Sequence, residues 1–249
     1  MVRLVITRVN DSDWDQLVEV QFKAFAAEQF CQFVNGKDTP LNRERCKKKY
    51  TSYEPEKWAG ALWLKVIDAD EVVGGHGNGN SNGNGNGNTN GNGNGNGNGN
   101  NPTILGAALY RLNPNYSAED LKRTDLDPES FKWLEDPEER RIAVTVIHDV
   151  MDRKLRFIKE PHIQLSILFV SPEHQHKGIG GSLVNWGIQL SKQMMLPLWV
   201  ESSTTAYSLY VRHGFKDQIR SKVIIGPWDI EYSILKWEPD QRHQPVKGK

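Results

Sequence analysis

Cysteine is nearly absent: Cys31 and Cys46 are the whole supply in 249 residues. Without a Cys-x-x-Cys pair or clustered histidines, neither a disulfide framework nor a zinc or other metal site is favoured, and both thiols read as reduced packing residues. An excess of charge is missing too, since Lys plus Arg and Asp plus Glu balance at 31 each. That removes the basic field that dominates nucleic-acid binding and leaves a small-molecule or peptide partner as the expectation. No run approaches the roughly 18 to 20 apolar residues that a membrane span needs. Met1-Val2-Arg3-Leu4 leads directly into an alternating pattern, unlike a signal peptide. A soluble protein of the cytoplasm is expected, with the nucleus left open and either a monomer or a homodimer compatible with the composition.

What is present begins with an asparagine–glycine tract near residues 74 to 101, which contributes nothing to a core. Its composition argues for disorder. About 220 foldable residues remain, enough for one ordinary domain, expected over 1–237 with a flexible polar tail at 238–249. Arg3 to Val9 reads as a first strand, and Ser12 as the cap of a helix carrying Trp14, Leu17, Val18, Phe22 and Phe25 at helical spacing. Leu41 to Tyr50 reads as an exposed, charged helix. Ala61 to Ile67 and Thr103 to Leu112 are strand-like runs on either side of the tract, an interrupted hairpin; Asn-Gly is the preferred pair for tight turns, and a long insertion there costs little closure entropy. Ile142, Val146, Val150, Leu155 and Ile158 mark one long amphipathic helix within 117–160, where no cluster of acids is apparent. After residue 215, Val223 to Ile225 and the row Trp228, Ile230, Tyr232, Ile234 read as a closing pair of strands about a Gly226-Pro227 turn.

The most informative stretch is a strand (Ile163 to Val170), a loop (Ser171 to Lys177), the glycines Gly178, Gly180 and Gly181, a helix (Ser182 to Met195), a strand (Leu198 to Glu201) and a helix (Ser203 to His213) before Gly214-Phe215. Glycines at a helix entry gather bare backbone amides at the positive end of the dipole, where a pyrophosphate fits. A dinucleotide fingerprint needs a glycine at Leu183, although Glu201 lies where a ribose-binding acid would. A Walker A loop needs its lysine after the glycines, whereas Lys177 precedes them.

The string Gln175-His176-Lys177-Gly178-Ile179-Gly180 resembles the Gln/Arg-x-x-Gly-x-Gly/Ala signature of the GNAT acetyltransferase superfamily, and Ala206 to Phe215 resembles that family's closing Leu-Tyr-x-x-x-Gly-Phe element. The likeness is nearest to puromycin-acetyltransferase-like members, common in fungi. It implies an α/β fold with a mixed, mostly antiparallel sheet of six to seven strands, in which the fourth and fifth splay apart. It further implies acetyl-CoA as co-substrate and a small-molecule or peptide amine as acceptor. Carried over residue by residue, backbone of Phe169 and Val170 meets pantetheine or the acyl group. Amides of Gln175, His176, Lys177, Gly178, Ile179, Gly180, Gly181 and Ser182 hold the pyrophosphate. Ser203 stands where the family often has Asn, Tyr210 matches the position that protonates the leaving thiolate, and Glu201 is the candidate base or amine-binding acid. A catalytically idle acyl-CoA-binding domain and a nucleotide-binding oxidoreductase are the alternatives.

Overall fold

In the computed structural model, residues 3–52, 60–70, 102–116, 127–225 and 228–239 are described. The asparagine–glycine tract, the Gly226-Pro227 turn and most of the expected tail lie outside them.

Seven strands form one sheet in the order β1-β2-β3-β4-β5-β7-β6. They are β1 (Leu4–Arg8), β2 (Ala61–Asp68), β3 (Ile104–Asn113), β4 (His162–Val170), β5 (Leu198–Ser203), β6 (Lys216–Ile225) and β7 (Trp228–Trp237). All neighbours run antiparallel except β4 and β5, as the expected fold requires. The helices are α1 (Trp14–Ala24), α2 (Gln29–Asn35), α3 (Pro40–Thr51), α4 (Pro137–Phe157), α5 (Ile179–Met194) and α6 (Thr204–Arg212).

Each face of the sheet has its own core. On one, Leu183, Val184 and Ile188 of α5 and Tyr210 of α6 pack on Tyr110, Leu165, Val200 and Leu235. Here Tyr110 lies across Gly187, where an added Cβ would come within 2.5 Å of the ring, and its hydroxyl donates to the Leu183 carbonyl at 2.7 Å. On the other, Leu17, Val18 and Phe22 of α1 meet Trp63, Leu109 and Phe169. Further along that face Ile142 and Val146 of α4 meet Phe33 and Ile230. A side chain of this size contributes roughly 1.5–3 kcal/mol when fully buried.

Several expectations need correction. Ser12 does not cap α1: the entry is a tight turn in which the Asp13 carboxylate accepts the Asn10 amide at 2.6 Å. Asp13 also forms a buried ion pair with Lys65 at 2.6 Å, the two side chains being 1% and 5% exposed. Helix α3 is not a solvated rod. Thr39 caps it by accepting the Asn42 amide, and Asn42, Cys46 and Tyr50, four residues apart, form a buried stripe. Only three positions carry that stripe, too few to show against the basic run. Helix α2 was not foreseen, and β6 begins seven residues before Val223, because alternation in Lys216 to Lys222 is mostly polar on an exposed edge strand.

Candidate active site

Strands β4 and β5 pair over only three positions, Ile163 with Leu198, Gln164 with Trp199 and Leu165 with Val200. Beyond these each strand stays with its outer neighbour. Ile167 to Val170 register with Leu109 to Gly106 of β3, while Glu201, Ser202 and Ser203 register with Ile234, Ser233 and Tyr232 of β7. The inner edges part, and their facing backbone groups have no strand between them. This is the splay that the sequence led us to expect.

A cleft of about 810 Å³ opens from the splay to the start of α5, bordered by Phe169, Val170, Gln175, His176, Gly178, Ile179, Gly180, Gly181, Ser182 and Ser203. Ser182 is the first residue of the turn whose amide reaches a carbonyl of its own helix, Gly178 O at 2.9 Å. The amides of Ile179, Gly180 and Gly181 precede it and are helix-start donors without helical acceptors. Gly178 has φ +84° with no atom within 4 Å of an added Cβ, so backbone conformation rather than space demands glycine there. The side chains of the loop do other things. Ile179 is 1% exposed and packs into the core. Gln175 Nε2 donates to Val170 O at 3.3 Å, and Lys177 Nζ donates to Glu173 O at 2.9 Å. Lys177 is the one expected loop residue that does not border the cleft. Asn185, Arg212 and His213, which we did not expect, do border it; Asn185 lies between one and two helical turns past Gly180, and Arg212 and His213 lie within the recognised Ala206 to Phe215 string, so their place in the sequence could have revealed them.

Tyr210 is 4% exposed and packs against Phe215 with ring centroids 5.5 Å apart. Burial, with the Glu201 charge as a smaller contribution, pushes its phenol above the usual tyrosine range. It therefore stays protonated at neutral pH, but it is not among the residues that border the cleft.

Glu201 borders a second cavity of about 400 Å³, with Glu28, Phe30, Val150, Ser203, Thr205 and Tyr232 among its walls. Its Oε2 accepts from Gln164 Nε2 at 2.8 Å, and Lys154 Nζ stands 3.1 Å from Oε1. Tyr232 is held by Asp149, which accepts its hydroxyl at 2.8 Å and that of Ser221 at 3.2 Å while pairing with Arg153 at 3.0 Å. Asp229 and Glu231 add further acids. No acidic cluster was apparent in 117–160; the acids come instead from the α1–α2 junction, β5 and β7. Glu28, Ser203 and Thr205 border both cavities, so the two meet there, and the Ser203 hydroxyl lies 3.3 Å from Glu28 Oε1. Ser203 thus touches a carboxylate rather than being an open replacement for Asn. Among the described residues, no group of His, Cys, Asp or Glu could hold a metal ion, and no helix is long and apolar enough to cross a membrane.

Residues 137–217 match the family model described as an acetyltransferase (GNAT) domain. No curated protein matches the chain in sequence. Among solved structures, arylalkylamine N-acetyltransferase 2 from Aedes aegypti superposes with a TM-score of 0.56 at 14% identity, covering 96% of this chain and 100% of the other. The Drosophila melanogaster polyamine N-acetyltransferase gives 0.57 at 10% identity, covering 95% of this chain and 100% of the other. A putative acetyltransferase from Salmonella typhimurium, solved with acetyl-CoA, gives 0.50 at 13% identity over 98% of this chain and 99% of the other. At these identities the likeness establishes the fold: a mixed α/β GNAT architecture with a seven-stranded, mostly antiparallel sheet.

Proposed function

We propose that the chain is an acyl-CoA-dependent N-acyltransferase that moves an acetyl group from acetyl-CoA to a primary amine by direct transfer. One observation carries this reading: unpaired helix-start amides at Ile179 to Gly181 lie at the end of a cleft that runs into the gap between β4 and β5. Such amides at a positive dipole end suit a diphosphate, and the parted strand edges suit an extended amide-bearing arm. Arg212 and His213 at the rim fit further phosphate oxygens. Acetyl-CoA supplies an activated thioester when bound.

The residues divide the work. Backbone of Val170, on the inner edge of β4, orients the acyl carbonyl, with Phe169 beside it on the cleft wall. Tyr210 donates its phenolic proton to the departing sulfur, and burial keeps that proton in place until then. The second cavity receives the acceptor, and its carboxylates favour an ammonium group there. Glu201 serves as an amine-binding acid on its wall. Resemblance to puromycin-acetyltransferase-like members places puromycin among the amines to test, and the names of the structural neighbours add an arylalkylamine and a polyamine.

Calorimetry and thermal shift test the first half. Acetyl-CoA at 100 times its Kd is expected to stabilise the protein by about 2.7 kcal/mol, and NAD not at all. Thiol release on mixing with puromycin, 2-phenylethylamine or spermidine tests the second. Binding without thiol release would leave an idle acyl-CoA-binding domain; no binding at millimolar CoA would remove the reading altogether.

A further inference from the structure

This inference rests on the acyltransferase reading, in which the second cavity receives the acceptor. Its walls are of two kinds. Glu28, Ser203 and Thr205 border both the cavity and the cleft, so the junction where an amine meets the thioester is polar. Phe30 from α2, Val150 from α4, and Ile230 and Tyr232 from β7 border the cavity alone and line it with carbon. Ile230 and Tyr232 are 4% and 7% exposed and form a fixed floor, whereas Phe30 and Val150 are only partly buried and offer open apolar surface.

The polar groups near this carbon wall are already engaged. Tyr232 donates its hydroxyl to Asp149 at 2.8 Å, and Asp149 is itself fixed by Ser221 and Arg153, so Tyr232 gives the cavity its ring rather than its hydroxyl. Side chains alternate along a strand, which sets Ile230 and Tyr232 on one face of β7 and turns Asp229 and Glu231 to the other. Lys222 pairs with Asp229 at 2.9 Å and stands opposite Glu231 in the β6–β7 register. Lys154, about one turn after Val150 on α4, holds its ammonium 3.1 Å from Glu201 Oε1. Two of the cavity's carboxylates thus carry their own cations. A second ammonium on an acceptor, carried past the junction, loses water against Phe30 and Val150 and approaches Lys154 or Lys222.

We propose that this cavity selects monoamines bearing an apolar, ring-sized substituent and rejects acceptors with a second cation. Phe30 and Tyr232 are its specificity-determining residues, and Asp149 is the positioning residue that turns the Tyr232 hydroxyl away from the acceptor. The volume of about 400 Å³ is ample for one ring on a short chain, since an apolar cavity of about 150 Å³ already takes benzene.

The test uses the full chain with acetyl-CoA and compares 2-phenylethylamine, ethylamine and spermidine by thiol release. For 2-phenylethylamine, kcat/KM is expected to exceed that of either other amine about 100-fold. Phe30→Ala should cut the ratio of 2-phenylethylamine to ethylamine about 30-fold, chiefly through KM, and the ethylamine rate reports that the variant is folded. Asp149→Asn should cut the same ratio about fivefold. Lys222→Glu should raise the ratio of spermidine to 2-phenylethylamine about tenfold, an effect that shrinks with added salt. Independently of turnover, calorimetry should show 2-phenylethylamine binding to the CoA-loaded protein with a negative heat-capacity change. Spermidine used as well as 2-phenylethylamine, or a Phe30→Ala loss equal for 2-phenylethylamine and ethylamine, would overturn the selectivity while leaving the acyltransferase reading standing. CoA binding by the parent protein with none of the three amines acetylated would overturn both.

Discussion

The cleft at the splay and the cavity beside it share Glu28, Ser203 and Thr205, yet their walls are made of different material. At the start of α5 the functional groups are peptide N–H donors of consecutive residues, and the loop side chains mostly point elsewhere: Ile179 into the core, Lys177 back to a carbonyl of its own loop. In the second cavity the functional groups are side chains from the α1–α2 break, β5 and β7, residues up to about 200 positions apart in sequence. A site made from backbone depends on conformation and on the smallness of glycine. A site made from side chains depends on which elements tertiary packing brings together, and each member can be removed separately.

The sharpest way to break this contrast is on the side-chain side. Tyr210→Phe is expected to reduce kcat about 100-fold with CoA affinity unchanged, read by thiol release and calorimetry. An unaltered kcat would return Tyr210 to a packing role. On the backbone side, Gly180→Asp places a carboxylate among the amides, where the tightest contact of an added Cβ would be the flexible end of Leu209 at 3.3 Å. It should weaken CoA binding about 30-fold through like-charge repulsion with phosphate. Lys177→Ala should change binding less than about threefold, as expected of an exposed charge; a larger loss would show that loop side chains matter after all.

A smaller effect concerns the hinge of the splay. His162 opens β4, is 2% exposed, and has Nδ1 2.7 Å from Glu160 O and Nε2 3.1 Å from Asn113 Nδ2. Burial lowers its pKa below the ordinary histidine value of 6.5, partly offset by the Glu160 carbonyl. The unfolded chain therefore binds the proton first: the contribution to stability is complete above about pH 6.5 and is lost as pH falls toward the folded pKa. His162→Asn should flatten the fall of denaturant-measured stability as pH drops below about 6.5. An unchanged slope would locate the acid sensitivity elsewhere, for example at Asp149. There, burial is outweighed by hydrogen bonds from Arg153, Tyr232 and Ser221, which hold the carboxyl below its usual range.

The contrast also marks what was legible in the sequence. Strands β1 to β5, the helices α1, α4, α5 and α6, and the glycine entry were readable because each is a local pattern: period-two alternation, helical spacing, or glycines before an apolar row. Helix α2 was not readable, since a seven-residue helix with one buried phenylalanine has no periodic signal. The stripe of α3 was hidden because Asn42 and Cys46 are weakly apolar and Tyr50 completes it only by meeting Trp63 and by accepting a hydrogen bond from Gln21 at 3.0 Å. Glu201 was singled out as a strand end, although β5 runs on to Ser203. Glu28, preceding a helix the sequence does not announce, was not.

By itself the sequence determined the amide cradle, because conformation and donor supply there belong to adjacent residues and need no distant partner. It also determined the order of the strands, and its resemblance to a known family implied the mixed sheet. Only the tertiary structure decided that β4 and β5 part after three residue pairs, that Glu28 and Ser203 meet across 175 positions, and that Glu201 is tied to Lys154 and Gln164. Hydrogen bonding and Coulomb attraction act over a few ångströms of space, and separation along the chain says little about which groups will come that close.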